Sequence, residues 1–312
     1  MQKSQVAVIG VGAVGSVLVT RLCQAGHDVT ACVREDRVGL TLEAPDGTFH
    51  VEPSFVTDPE SLRAFSWVIV ATKAHQTASA KPWLRACVGE ETVVVVAQNG
   101  VEHVERVSPF VATTRIVPVV VECPCERVDS ARVRQRAVSR FLVPDDDYGT
   151  AFLALTHGTG LNAERTSSFL TQAWSKLIFN AVGGALTALT GRCLEVINDP
   201  MIEGVACRAL EECVAVARAE GAELAVDESR ERLLGAAESN PNAPTSLLSD
   251  ARKGAQLEVD ARNGVIVRKG EAHGIKTPVN DVFFGLLEEL SAGEGRPCMT
   301  PDDIVAAIRQ GD

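Results

Sequence analysis

A doubly wound α/β domain with a mainly parallel sheet, followed by an all-α domain, is the architecture this sequence predicts. Three observations carry that expectation. Short apolar strands alternate with amphipathic stretches through the first half. A glycine-rich turn, Gly10-Val-Gly12-Ala-Val-Gly15, links the first strand to the first helix. Beyond about residue 165, long helical patterns replace the strands. A chain of 312 residues has room for two domains. The expected division is 1–165 and 166–312.

The strands are read at 5–9, 28–33, 67–71, 92–97 and 116–121, with helical patterns at 13–24 and 75–87. Strands that are apolar throughout and separated by helices form parallel sheets covered on both faces. Right-handed crossovers then wind the sheet in both directions. The charged stretch 129–147 reads as loops and edge strands. In the second half the helical patterns run 167–189, 199–220, 227–239, 256–273 and 279–290. Gly274 is placed to cap the fourth of these, with Pro278 just beyond. Ser239-Asn-Pro-Asn-Ala-Pro244 is a clear helix break.

The formal charge is -11, which disfavours nucleic acid and anionic membranes as partners. No apolar run reaches transmembrane length, and the N-terminus has no signal-peptide pattern. Aromatic residues are only 4%, so Val, Leu, Ala and Ile must build the core. The nine cysteines are scattered, apart from Cys123-Pro-Cys125. Together these features lead us to expect a cytoplasmic protein with reduced thiols. The Cys123/Cys125 pair reads as two small residues at a strand end. A redox or metal pair is the alternative, but no second ligand pair accompanies it, so no metal is expected.

The glycine turn carries the first functional reading. Gly10 permits the tight turn, Gly12 lets the backbone approach a pyrophosphate, and Gly15 allows close helix–strand packing. Val11, Ala13 and Val14 complete the loop at a helix N-terminus, where N–H groups and the dipole favour phosphate. In strand–turn–helix context this is a Rossmann dinucleotide-binding pattern. After the second strand comes Val33-Arg34-Glu35-Asp36. Arg34 suits a 2′-phosphate and favours NADPH over NADH, while Glu35 or Asp36 taking the ribose is the alternative.

The next two strands end at Thr72-Lys73-Ala-His-Gln76 and Gln98-Asn99-Gly100. Carboxyl ends of parallel strands are where open α/β sheets bind ligands. Thr72, Lys73, Gln76, Asn99 and Gly100 are therefore candidates, although Lys73 alone reads equally well as a solvated loop lysine. In the second half, Lys176, Asn180 and Gly184 stand at i, i+4 and i+8 and share a helix face. A lysine and an asparagine within an otherwise apolar helix imply a site, unless that face is simply exposed. Thr245 or Ser246 follows the helix break as a ligand group or an N-cap. Glu258, Asp260 and Asn263 are read on a long helix, where either acid is a site group or a surface charge.

The set, taken in order, resembles the ketopantoate reductase (2-dehydropantoate 2-reductase) family. The matching pieces are Gly10 to Gly15, Arg34, Thr72-Lys73-Ala74, Gln98-Asn99-Gly100, Ser175-Lys176-Leu177 with Asn180, Leu186 to Gly191, Ser246 with Asp250, and Leu257-Glu258-Val-Asp260 with Asn263-Gly264. The resemblance implies NADPH-dependent reduction of a branched 2-oxo acid to a 2-hydroxy acid in pantothenate biosynthesis. It implies Lys176 as general acid and Glu258 at the active site, beside the cofactor. It implies Asn99 and Asn180 holding substrate or cofactor, Ser246 on the substrate carboxylate, and Lys73 near both ligands. Two positions depart from the family pattern. Gly184 stands where members carry a second asparagine, and Ala243 where they carry another, with Asn242 as a neighbouring substitute.

Lost amides loosen substrate discrimination. Hydride chemistry on a different 2-oxo acid is thus the alternative reading. A non-catalytic NADPH-binding regulator is another, against which Lys176, Asn180 and Glu258 argue. The partners expected are a small 2-oxo acid and, through the helical domain, a second copy in a homodimer.

Overall fold

The computed structural model describes residues 3–111, 115–293 and 298–311. The chain divides into two compact units, Met1–Phe169 and Leu170–Asp312.

Unit 1 begins β1 (Gln5–Ile9), α1 (Ala13–Gln24), β2 (Asp28–Cys32), β3 (Leu40–Ala44), β4 (Gly47–Val51) and β5 (Ser54–Val56). It continues β6 (Trp67–Val70), α2 (Lys81–Cys87), β7 (Val93–Val96), α3 (His103–Val107), β8 (Ile116–Pro118), β9 (Val120–Glu122), β10 (Cys125–Arg127), β11 (Arg132–Gln135), β12 (Arg140–Pro144), α4 (Asp147–Thr156) and β13 (Asn162–Thr166). Among the described residues these strands form three sheets. The main one is six-stranded and wholly parallel, in the order β5-β2-β1-β6-β7-β8. The order reverses between β1 and β6, the switch point of a Rossmann sheet.

Side-chain alternation explains why this sheet is buried. Val6 and Val8 of β1 pack with Val17, Leu18 and Leu22 of α1 on one face. Ala7 and Ile9 pack with Leu84 and Cys87 of α2 on the other. A four-stranded sheet, β10-β11-β3-β4, packs against the outer side of α1. That second cover explains why Gly15 to Leu22 are all buried. A three-stranded sheet, β13-β12-β9, completes the unit.

Unit 2 is all-helical among the described residues: α5 (Phe169–Thr190), α6 (Pro200–Ala219), α7 (Val226–Ser239), α8 (Ser246–Arg252), α9 (Val265–His273), α10 (Pro278–Ala292) and α11 (Pro301–Gly311). The C-terminal half of α5 is enclosed, with every residue from Ala181 to Thr190 buried. Gly274 closes α9 in the left-handed conformation at φ 68°, as its position predicted.

The elements differ from the sequence reading in several places, and the strand expected at 116–121 is two, β8 and β9, in different sheets. The helix expected at 75–87 is two 3₁₀ turns, Ala74–Gln76 and Ala78–Ala80, before α2. Pro82 has no N–H to donate and fits only the first turn of a helix, so α2 starts there. The helix expected at 256–273 is α9 preceded by a π-helical turn, Asp260–Gly264, and Glu258 lies in the non-helical segment before it. The stretch expected to hold edge strands holds β11 and β12, each flanked by partners on both sides. Phe141, Leu142 and Val143 make β12 apolar enough for an interior place. Finally, the β3–β4 hairpin and helices α4, α8 and α11 lie outside the expected elements.

A charged clamp joins α6 to α9. Glu220, which caps α6, accepts from Lys269 Nζ at 2.5 Å and lies 2.7 Å from His273 Nε2. Burial pushes its carboxyl up, but the Lys269 and His273 contacts outweigh this, and the net displacement is downward. A lowered folded-state pKa adds stability above the unfolded value of about 4.3, and that stability is lost as pH falls through the lower folded value. Glu220→Gln should therefore cost about 1 kcal/mol in urea unfolding at neutral pH. The gap to wild type should close as the pH is taken below about 4. A gap constant with pH would rule out the ion pair as its source.

Candidate active site

The glycine turn occupies the switch point of the main sheet. Gly10 has φ +94°, and a Cβ there would stand 2.6 Å from Thr72 Cγ2 and the Thr72 amide. A Cβ on Gly15 would stand 2.0 Å from the Gly10 carbonyl oxygen. Both positions require glycine. Gly12 differs: a Cβ built there meets no heavy atom within 4 Å. Gly12 is the N-cap of the twelve-residue α1, and no side chain caps it. The loop Val11, Ala13 and Val14 thus opens on a helix N-terminus with open space before it. That is a phosphate cradle in form, and the pyrophosphate of a dinucleotide fits it.

Arg34, Glu35 and Asp36 are exposed after β2. Arg37, which the sequence reading did not single out, donates from Nη1 to the Val11 carbonyl at 3.1 Å. Burial lowers its pKa, and the positive charges of Arg127 and Arg34 push the same way against Glu35. Arg37 thus sets a cation against the glycine turn, with Arg34, Arg127 and Glu35 near enough to act on its charge.

Beyond β6 and β7, Gln98 holds two strand ends together. It is buried, and its Nε2 lies 2.9 Å from Thr72 Oγ1, 3.1 Å from the Thr72 carbonyl and 2.9 Å from Thr77 Oγ1. Arg106 Nη1 donates to the Asn99 carbonyl at 3.0 Å, and His103 Nε2 lies 3.2 Å from the Gln98 carbonyl. Gly100 turns the chain at φ +100°. Lys73, Gln76 and Asn99 are half-buried on these loops. The expected ligand-binding strand ends are thus gathered in unit 1, with Gln98 as the missed organiser.

In unit 2, Lys176 and Asn180 are half-buried on α5, one turn apart on the face predicted. Gly184, two turns beyond Lys176, is buried. Thr245 settles the capping question: its Oγ1 accepts from Leu248 N at 3.1 Å and lies 2.7 Å from Thr187 Oγ1. Ser246 is thereby left exposed at the first position of α8. Asn242 is exposed in the preceding loop, and Ala243 uses its carbonyl to accept from Leu194 N at 3.1 Å.

Glu258 is 2% exposed. Its Oε2 lies 3.6 Å from Nη2 of Arg262, which is 0% exposed and which the sequence reading passed over. The same Nη2 donates to Ser246 Oγ at 2.9 Å. A Cβ on Gly184 would stand 3.1 Å from Arg262 Nη1. Three of the predicted site residues therefore converge on one unpredicted arginine. Its neighbours from Leu257 to Val259 and from Ala261 to Ile266 are buried, a setting where a cation is out of place, and nothing in the local sequence marks it. Asp260, by contrast, is an exposed partner of Arg268 and belongs to the surface. Asn263 is fully buried and structural, donating to the Ala181 carbonyl and to Asn280 Oδ1.

Cys123 and Cys125 sit at the ends of β9 and β10, and their mutual hydrogen bond with burial pushes the Cys125 thiol far up. Among the described residues no group of three His, Cys, Asp or Glu is placed to hold a metal. No helix among them is long and apolar enough to cross a membrane.

Residues 6–147 match the family described as Ketopantoate reductase PanE/ApbA, and residues 168–291 match Ketopantoate reductase PanE/ApbA C terminal. The chain belongs to the ketopantoate reductase family. It is 41% identical to a 2-dehydropantoate 2-reductase of Caulobacter vibrioides, over 91% of this chain and 98% of that one. It is 36% identical to one of Mycobacterium tuberculosis, over 93% and 99%. The crystal structure of a PanE/ApbA family ketopantoate reductase from Ralstonia eutropha superposes with a TM-score of 0.87 at 29% identity, covering 93% of this chain and 99% of that one. A D-mandelate dehydrogenase solved with NADH and anilino(oxo)acetate shares the fold of the family, with a TM-score of 0.85 at 20% identity, covering 93% and 99%.

Gln98→Leu keeps the volume of the strand-end clamp and removes its donors. It should destabilise unit 1 by about 2 kcal/mol, since it leaves buried acceptors unmet. The KM for the dinucleotide should rise with it. Unchanged urea stability would show that water replaces the amide.

Proposed function

We propose that this chain reduces 2-dehydropantoate (ketopantoate) to pantoate with NADPH, a step of pantothenate biosynthesis. The observation that carries the reading is the set in unit 2: Lys176 and Asn180 on one face of α5, with the Ser246 hydroxyl and the Glu258 carboxylate joined through Arg262. The same substrate is named for the 41% identical relative, which this chain matches over nearly its full length.

The cofactor assignment rests on unit 1. The open space before Gly12 and the bare N-terminus of α1 suit the pyrophosphate. Arg34 beside Arg37 suits a 2′-phosphate, which is why NADPH is preferred over NADH. When bound, the nicotinamide supplies the hydride. The chain's own residues handle charge and protons. Reduction of a ketone leaves negative charge on its oxygen, and the Lys176 ammonium is the group proposed to stabilise that charge and donate the proton. Asn180, one turn along, and Asn99 provide amides to orient polar substrate groups. Ser246 is the proposed donor to the carboxylate.

Gly184 and Ala243 favour a second reading, in which the same chemistry serves a different 2-oxo acid. Neither residue has a side chain to pair with a substrate hydroxyl, so selectivity between 2-oxo acids falls to other groups.

NADPH oxidation followed by absorbance, with ketopantoate and a panel of other 2-oxo acids, tests both readings. Selective turnover of ketopantoate is expected, and faster turnover of another acid would transfer the assignment to it. Lys176→Ala should lower kcat by about 100-fold or more; near-normal turnover would remove the lysine from its role. Arg34→Ala should raise the KM for NADPH by about tenfold and leave that for NADH nearly unchanged. Equal effects on the two would mean that Arg34 does not read the 2′-phosphate.

A further inference from the structure

Arg262 is a fully buried cation with an incomplete set of partners. Its Nη2 is shared between Ser246 Oγ at 2.9 Å and Glu258 Oε2 at 3.6 Å. Its Nε and Nη1 are buried and have no hydrogen-bond partner among the described residues. Each unmet buried donor costs about 1–3 kcal/mol. A hydrophobic residue of similar size would escape that cost. The arginine therefore stands out as a group held for something other than stability.

The geometry says what it does. A guanidinium has no acceptor, so in its bond with Ser246 the serine oxygen must accept. The serine O–H is then free to donate, and Ser246 is exposed while Arg262 lies beneath it. The result is an outward-facing hydroxyl with a positive charge one hydrogen bond behind it. Such a pair selects an anionic acceptor, and a carboxylate is the small-molecule group that suits it. Room for the guanidinium comes from Gly184. Nη1 stands 3.1 Å from where a Cβ would be, with Leu247 on the other side at 3.6 Å. A longer side chain at 184 and an arginine at 262 would compete for one volume.

We propose that Arg262 is a positioning residue for recognition of the substrate carboxylate, acting through Ser246 in the space that Gly184 leaves open. The inference rests on the reading of this chain as a 2-oxo-acid reductase.

The test is a double-mutant cycle on the full chain, reading kcat and KM separately for the 2-oxo acid that wild type turns over. Arg262→Leu should raise KM by about 10- to 100-fold and change kcat by less than about fivefold, the range of one charge-assisted hydrogen bond. Arg262→Lys should recover part of the loss. In a Ser246→Ala background, Arg262→Leu should add less than about threefold, because the partner it acts through is gone. A KM within about twofold of wild type, or additive losses in the cycle, would overturn the proposal. Should Arg262→Leu fail to fold, Arg262→Met, a longer unbranched replacement, removes the same donors and charge. KM should rise in the folded enzyme, and an unchanged KM would again overturn the proposal. Wild type inactive on every 2-oxo acid would instead bring down the functional reading and this inference with it. Wild type active beside an unaffected Arg262→Leu would bring down the inference alone.

Discussion

The first crossover of the parallel sheet is held together by a backbone approach that admits no side chain. The Gly10 carbonyl stands where a Cβ on Gly15 would be, and the Thr72 backbone where a Cβ on Gly10 would be. This contact draws α1 down onto β1 and brings the end of β6 beside the turn. Everything that makes unit 1 a nucleotide-binding frame depends on it. The bare N-terminus of α1 points from the switch point only because the turn is this tight, and the Gln98 clamp bridges the neighbouring strand ends. Close packing at two glycines leaves the third, Gly12, facing open space.

Unit 2 solves a different problem, that of polar groups inside a helical bundle. Glu212 accepts from the Val279 and Asn280 amides and from Asn280 Nδ2, capping α10 from α6. Burial raises its carboxyl pKa, and those hydrogen bonds partly restore it. Asn280 passes the network to Asn263, and Asn263 reaches the Ala181 carbonyl of α5. This fully buried chain of amides fixes the π turn against α5. Arg262 and Glu258, next to it in sequence, inherit a fixed position. The amides of Asn263 and Asn280 provide the support, and Arg262, with two nitrogens unmet, lies beside them under Ser246.

Local patterns explain how much was legible beforehand. The parallel sheet, the glycine turn and the long helices all follow from periodicities of two and 3.6 residues, which each segment carries by itself. Lys176, Asn180 and Gly184 share a face for the same reason. What was hidden depends on partners distant in sequence. The interior place of β11 comes from β3, some ninety residues earlier, and no local pattern announces that pairing. The choice of Thr245 over Ser246 as cap was open until Thr187 supplied a second partner. Arg262 was hidden most deeply. Its burial is explained only by a missing side chain on another helix, and a glycine in sequence does not say what fills its place.

The π turn at Asp260–Gly264 has a consequence for the lineage of this site. A wide turn of this kind is equivalent to one extra residue within a helix. Ala261, Arg262, Asn263 and Gly264, all buried, lie within it. Loss of that single residue would rotate all of α9 by about 100° relative to the segment carrying Glu258. Point substitutions can retune the chemistry of this stretch one group at a time. A length change there would dismantle it in one step, so this segment tolerates exchange of residues better than insertion or deletion.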